Sequence, residues 1–129
     1  MIRVFLIDSD VLIWLTRGQQ RAKTRLSKIN PWRISAITYM ELAQGCRNKD
    51  ELQRAKRGLE QKDTEIVPLT PSISARAMRL VDAYALSEGL QVADALIAAT
   101  AIEQGLVLLT GNTKHFSTID ELKIERFEP

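Results

Sequence analysis

One cysteine in 129 residues excludes an internal disulfide and leaves no cysteine pair for a metal motif. A reducing, cytoplasmic setting is the expectation that follows. No apolar run approaches the roughly 18–20 residues that a membrane span requires. A signal peptide is not expected either, because Asp8 and Asp10 interrupt the apolar segment it would need. Internal repeats, low-complexity tracts and linkers are missing too, so residues 1–129 read as one domain. Neither sign of charge dominates: the formal net charge is +2 and the sequence pI about 8.8. That global balance says little about partners.

What is present is apolar residues at 45%, enough for a core, with 26% charged residues and a mean hydropathy of −0.12. The charges are unevenly spread. Arg17, Arg21, Lys23, Arg25, Lys28 and Arg33 crowd one region, and Arg47, Lys49, Arg54, Lys56 and Arg57 a second. Either cluster can be a solvated helix face. Around an acidic site, basic surface suits a polyanionic substrate.

Alternating elements follow from the patterning. Short apolar runs without internal alternation predict buried strands at 3–7, 33–37, 66–69, 106–110 and 123–127. Helices are predicted over 10–16, 20–29, 38–45, 50–62, 71–88 and 92–104, with Gly18, Gly45, Gly89 and Gly105 as stops. The segment after Gly111-Asn112 reads as turn and loop. Strands alternating with helices mean an α/β fold on a mostly parallel sheet. Ligands bind at the carboxyl ends of such strands.

Three acids stand where a fold alone does not ask for them. Asp8 ends the first strand, and Ser9 or Asp10 is available beside it to cap the next helix. Asp94 lies in a helix that is apolar almost all round, where an unpaired ionised carboxylate costs several kcal/mol. Glu41 fits a capping box with Thr38, but it also follows a short strand, as Asp8 does. Three carboxylates within about 4 Å repel by about 4 kcal/mol per pair at an effective dielectric of 20. Such a cluster takes up protons or holds a cation. With oxygen ligands and a lone His115, Mg²⁺ is the best fit and Mn²⁺ the next, whereas zinc fits poorly. Phosphodiester hydrolysis by metal-activated water is the chemistry this predicts.

Four blocks carry a family likeness: Asp8-Ser9-Asp10-Val11-Leu12-Ile13, Thr38-Tyr39-Met40-Glu41-Leu42-Ala43-Gln44-Gly45, Asp94-Ala95-Leu96-Ile97-Ala98-Ala99-Thr100-Ala101 and Thr110-Gly111-Asn112-Thr113-Lys114-His115-Phe116. In this order and spacing the chain resembles the PIN-domain ribonucleases, and among them the VapC toxins of toxin–antitoxin pairs. The resemblance implies a three-layer α/β/α sandwich around an about five-stranded parallel sheet and a Mg²⁺-dependent endoribonuclease. It also implies a homodimer, an RNA substrate such as tRNA or rRNA, and a small cognate antitoxin. It makes Asp8, Glu41 and Asp94 the metal-binding catalytic acids. Asn112 takes the fourth position, which is often aspartate, and brings no charge there. Thr110 is then placed to orient a metal-bound water, Asp10 to restore charge, and Ser9 to support the site. His115 reads as loop surface, and Trp14, Trp32 and Tyr39 as core or dimer contacts.

Two other readings compete. Asp8-x-Asp10 after an apolar strand also resembles the haloacid-dehalogenase-type phosphatases, but it leaves Glu41 and Asp94 unused. A non-catalytic PIN-like module that binds RNA or protein is favoured by Asn112.

Overall fold

A computed structural model of the chain describes residues 3–129. The chain opens with β1 (Phe5–Ile7), α1 (Ser9–Thr16), α2 (Gln20–Ser27), β2 (Arg33–Ser35), α3 (Ala36–Gly45), α4 (Lys49–Gln61) and β3 (Glu65–Val67). It continues through α5 (Pro71–Glu88), α6 (Val92–Gln104), β4 (Val107–Thr110), α7 (Thr113–Phe116) and β5 (Ile124–Arg126). All strand pairings are parallel.

The strands do not form one five-stranded ladder. β1, β4 and β5 make a three-stranded sheet in the order β1-β4-β5, while β2 and β3 pair separately. β2 lies against β1 without a ladder between them. Each strand is only three or four residues long, so a small divergence between β1 and β2 suffices to lose their few shared bonds.

The alternation of side chains along β1 and β4 divides the core. Leu6 and Leu108 face α5, α6 and α7, where Ile73, Leu80, Ile97 and Phe116 are buried. Phe5, Ile7, Val107 and Leu109 face the opposite layer, with Val11, Leu26 and Trp32. Helices therefore cover both sides of the strands, which is the α/β/α arrangement expected.

Several helix ends depart from the sequence reading. Asp8 itself caps α1, its Oδ1 accepting from Ser9 N at 2.8 Å, so neither Ser9 nor Asp10 has that role. Ser35 caps α3 through a bond from Ile37 N at 3.1 Å. Because α3 starts two residues before Thr38, the Thr38–Glu41 capping box does not form. Thr38 is instead buried inside the first turn, and Glu41 is released from capping duty. The expected loop after Asn112 contains the short helix α7, drawn in by buried Phe116. Among the described residues, no helix is long and apolar enough to cross a membrane.

Candidate active site

The carboxyl ends of β1 and β4 are locked side by side. Asp8 N donates to Leu109 O at 2.9 Å, and Phe127 N donates to Thr110 O at 2.8 Å. The turn out of each strand thereby delivers its polar side chains to one edge. Asp8 is buried there, and Thr110 Oγ1 donates to its Oδ2 at 2.7 Å. Asn112 N in turn donates to Thr110 Oγ1 at 3.0 Å, which fixes the hydroxyl's direction.

Glu41 reaches this edge from α3. Its Oε1 accepts from Ser9 Oγ at 3.1 Å, while the same hydroxyl lies 3.4 Å from Asp8 Oδ1. Asp94, half-buried in the first turn of α6, is linked to this edge by its charge alone, the smallest of the influences on Asp8. Asp10 sits one turn-step beyond Asp8, its Oδ2 accepting from Gly111 N at 2.9 Å.

Electrostatics mark this edge out. Burial, then the charge of Asp10, and more weakly that of Asp94, push the Asp8 carboxyl up to about 7, against the opposing bonds from Thr110 and Ser9. Burial also raises Asp10, against bonds from the Gly111 and Val11 amides. Asp94 is raised by burial too, with the Gln91 amide and the His115 imidazole pulling the other way. Among the described residues, no salt bridge involves Asp8, Asp10, Glu41 or Asp94. Charges left uncompensated at a strand edge are a signature of function more than of stability.

The residues named from sequence do not all meet in the same way. Asp8, Ser9, Glu41 and Thr110 form one connected hydrogen-bonded chain, and Asp94 joins them through charge. Asn112 contributes its backbone N–H, and its exposed side chain caps nothing in α7. Among the described residues, no three His, Cys, Asp or Glu side chains are gathered into a ready-made metal cage. The donor set nevertheless suits a hard dication such as Mg²⁺ or Mn²⁺. Its ligand atoms are carboxylate oxygens, and Asp10 Oδ1 is buried with no hydrogen-bond partner.

Two participants escaped the sequence reading. Gly111 supplies a backbone donor to Asp10, a role with no side-chain signal. His115 is half-buried on α7 beside Asp94, not loop surface, and its Nδ1 is buried without a partner. The signal for His115 was its place next to Phe116, whose burial pulls α7 toward the sheet. Trp32 is core, with Nε1 donating to Leu26 O at 3.1 Å, and Trp14 and Tyr39 pack against the same cluster.

A groove of about 1040 Å³ opens beside this edge between α1, α3 and α4. Leu12, Trp32, Leu42 and Leu59 give it an apolar lining, Arg54 and Lys62 stand along it, and Glu41 lies in its wall.

The family model for the PIN domain matches residues 5–122. Ribonuclease VapC10 of Mycobacterium tuberculosis is 35% identical over 126 residues, covering 93% of this chain and 91% of its own. A toxin–antitoxin complex from Klebsiella pneumoniae contains a chain that superposes with a TM-score of 0.81 at 30% identity, covering 98% of this chain and 99% of that one. VapBC2 from Rickettsia felis, bound to a DNA fragment from its promoter, superposes at 0.80 with 22% identity, over 97% and 99% of the two chains.

Proposed function

This chain belongs to the PIN domain family, and on that premise we propose that it is a toxin-type endoribonuclease whose acidic edge works with Mg²⁺ or Mn²⁺ and whose activity a cognate antitoxin restrains. The observation that supports the reading most is the link from Asp8 through Ser9 to Glu41 at the strand ends, with the charge of Asp94 acting on Asp8, in a chain 35% identical to a ribonuclease.

Hydrolysis of an RNA phosphodiester forms one phosphorus–oxygen bond to water and breaks another to the leaving ribose oxygen, which takes up a proton. A bound dication supplies charge neutralisation at the phosphate and lowers the pKa of the attacking water. Asp8, Asp94 and Glu41 would hold it. Thr110 keeps Asp8 Oδ2 in one orientation, and Ser9 ties Asp8 Oδ1 to Glu41. Burial and the neighbouring charges of Asp10 and Asp94 favour the protonated form of Asp8, and a proton there moderates its repulsion with both.

The groove between α1, α3 and α4 is the seat of the antitoxin in this proposal. Its apolar lining fits the apolar face of an amphipathic segment, and Arg54 and Lys62 complement acidic side chains on that segment. Glu41 in the wall makes occupancy of the groove and access to the acids mutually dependent.

Cleavage of a broad panel of structured RNAs tests the reading. Mg²⁺-dependent cutting is expected, with Asp8→Asn and Asp94→Asn each slowing it by about a hundredfold or more and EDTA abolishing it. If the purified protein and both variants leave every RNA equally intact, the chain is a non-catalytic binding module, the reading that Asn112 favours. The phosphatase alternative leaves Glu41 without work and does not fit the PIN family.

A further inference from the structure

Residues 11–40 contain six cationic side chains and no acid, in a chain whose formal net charge is only +2. The second basic cluster differs, because Asp50, Glu51 and Glu60 are interleaved with its cations. Folding sorts the first cluster into committed and free charges. Arg25 is tied to Glu125 at 2.7 Å and lies over the Phe5 ring at 4.8 Å, and Arg33 is tied to Glu65 at 3.1 Å. Arg21, Lys23 and Lys28 are exposed, and among the described residues none of them forms a salt bridge.

These three belong to α2 and its C-cap, and buried Ala22 and Leu26 fix the inner face of that helix. At about 3.6 residues per turn, Arg21 and Lys28 fall on one flank and Lys23 on the opposite one. Thr24 and Ser27, exposed and uncharged, lie between the flanks. The outer face of α2 thus carries a neutral polar strip with cations on either side, which matches a groove bordered by two phosphate strands. Single-stranded bases are held by stacking on aromatic rings, and this segment offers no exposed ring. Trp32 is buried, and Trp14 is half-buried beneath the Arg17 guanidinium, at 5.8 Å.

The face also lies away from the acids. α1 leads from Ser9 at the acidic edge over about 12 Å to the turn before α2. Arg25 on α2 then reaches Phe5, at the opposite end of β1 from Asp8. A molecule that touches both places is larger than the nucleotides being cut.

We propose that the outer face of α2 is a docking surface for the sugar–phosphate backbone of a double-stranded RNA stem. The proposal rests on the endoribonuclease reading for its choice of partner. It adds that affinity for structured substrate resides on α2, apart from the strand-end acids that do the chemistry.

Fluorescence anisotropy with a labelled RNA hairpin, its stem about twelve base pairs long, tests this in EDTA, without cleavage. Arg21→Gln/Lys23→Gln/Lys28→Gln is expected to weaken binding about tenfold or more, and to flatten the slope of log Kd against log salt by about 2–3. Lys49→Gln/Lys56→Gln/Arg57→Gln removes as much charge from α4 and is expected to stay within about twofold of the parent. In Mg²⁺, the α2 variant is expected to cut the hairpin with a KM raised about tenfold and kcat within about twofold. Its KM for a short unpaired oligonucleotide is expected to stay within about twofold. Circular dichroism confirms folding, and should the triple variant not fold, Arg21→Gln and Lys23→Gln singly are each expected to lower the slope by about 1. Parent-like hairpin affinity in the folded α2 variants overturns the proposal and leaves the nuclease reading standing. An equal loss in the α4 variant overturns it too, since total charge would then set affinity. Loss of binding to phosphatidylglycerol vesicles with hairpin affinity kept would assign the face to a membrane and overturn it as well. A parent that binds the hairpin through α2 but cuts no RNA removes the nuclease reading and keeps the docking surface.

Discussion

Thr110 Oγ1 donates to Asp8 Oδ2 at 2.7 Å across 102 positions of sequence, and it accepts from Asn112 N at 3.0 Å. One hydroxyl therefore both orients the buried acid of β1 and fixes the turn that leaves β4. Thr110→Val keeps the shape and removes both bonds. Leaving a buried carboxylate short of a donor costs about 1–3 kcal/mol, which thermal melting will register.

The same variant has a kinetic signature. The Thr110 bond lowers the Asp8 pKa, so its loss moves that pKa further up. The acid limb of the cleavage rate against pH is expected to shift to higher pH, with the plateau about tenfold or more lower. Thr110→Ser restores the limb because it restores the donor. An unshifted limb in Thr110→Val, at reduced stability, would make Thr110 a packing residue only.

Asp8 also sets a pH dependence of stability. Its carboxyl goes from an ordinary 3.8 to about 7 in the folded chain, so folding favours the protonated form. The stabilising contribution is complete below about pH 4 and is lost as pH rises toward 7, on the order of 4 kcal/mol in all. In EDTA, Asp8→Asn is therefore expected to melt well above the parent at pH 8 and close to it near pH 4. Millimolar Mg²⁺ is expected to raise the parent's Tm at pH 8 and to do far less for Asp8→Asn. Parent and variant melting in parallel across this range would remove Asp8 as the group under strain.

Ser9 connects acids on two different elements. Its hydroxyl donates to Glu41 Oε1 at 3.1 Å and stands 3.4 Å from Asp8 Oδ1. Ser9→Ala leaves the Asp8 cap on Ser9 N intact and cuts only the link to α3. Stability is expected to change by about 0.5–1.5 kcal/mol at most, since Glu41 is exposed. Cleavage is expected to fall by about tenfold with KM little changed, because what is lost is the placement of Glu41. Ser9→Thr keeps the hydroxyl and is expected to recover most of the rate. A variant that cleaves like the parent would show that Glu41 needs no such tether.

Much of this centre was legible in the chain because each acid broke a strong local pattern. Asp8 interrupts an apolar run, and Asp94 stands in a helix with almost no polar face. Helices α5 and α6 begin and end where Pro71, Gly89 and Gly105 place them, since a fixed φ or a left-handed cap is a local property. The Gly111–Asp10 contact was not legible, because a backbone donor 101 positions away leaves no trace in either residue's neighbours. Ser35 took the α3 cap from Thr38 because burial of β2 carried the helix start two residues back, which is a tertiary effect. The division of the strands into three and two depends on how closely β1 and β2 approach, and side-chain patterning records only which face is buried.

Although Glu41 lies in the groove wall, inhibition and catalysis can be read separately at a groove residue that makes no bond to the acids. Ile13 lines the groove on α1, one helical turn beyond Ser9, and is 38% exposed. Ile13→Glu places a carboxylate on the apolar wall. It also repels the acidic segment that Arg54 and Lys62 are suited to receive. Burying that charge on partner binding costs several kcal/mol, so affinity for the cognate antitoxin is expected to fall by about a hundredfold or more. RNA cleavage by the variant alone is expected to stay within about twofold of the parent, since no bond to Asp8, Glu41 or Asp94 involves Ile13. Titrating antitoxin into a cleavage assay reads both quantities at once. An Ile13→Glu protein inhibited at the parent's antitoxin concentration would move the seat of the partner away from this groove. If cleavage and inhibition fell together, the groove would be part of the RNA path as well.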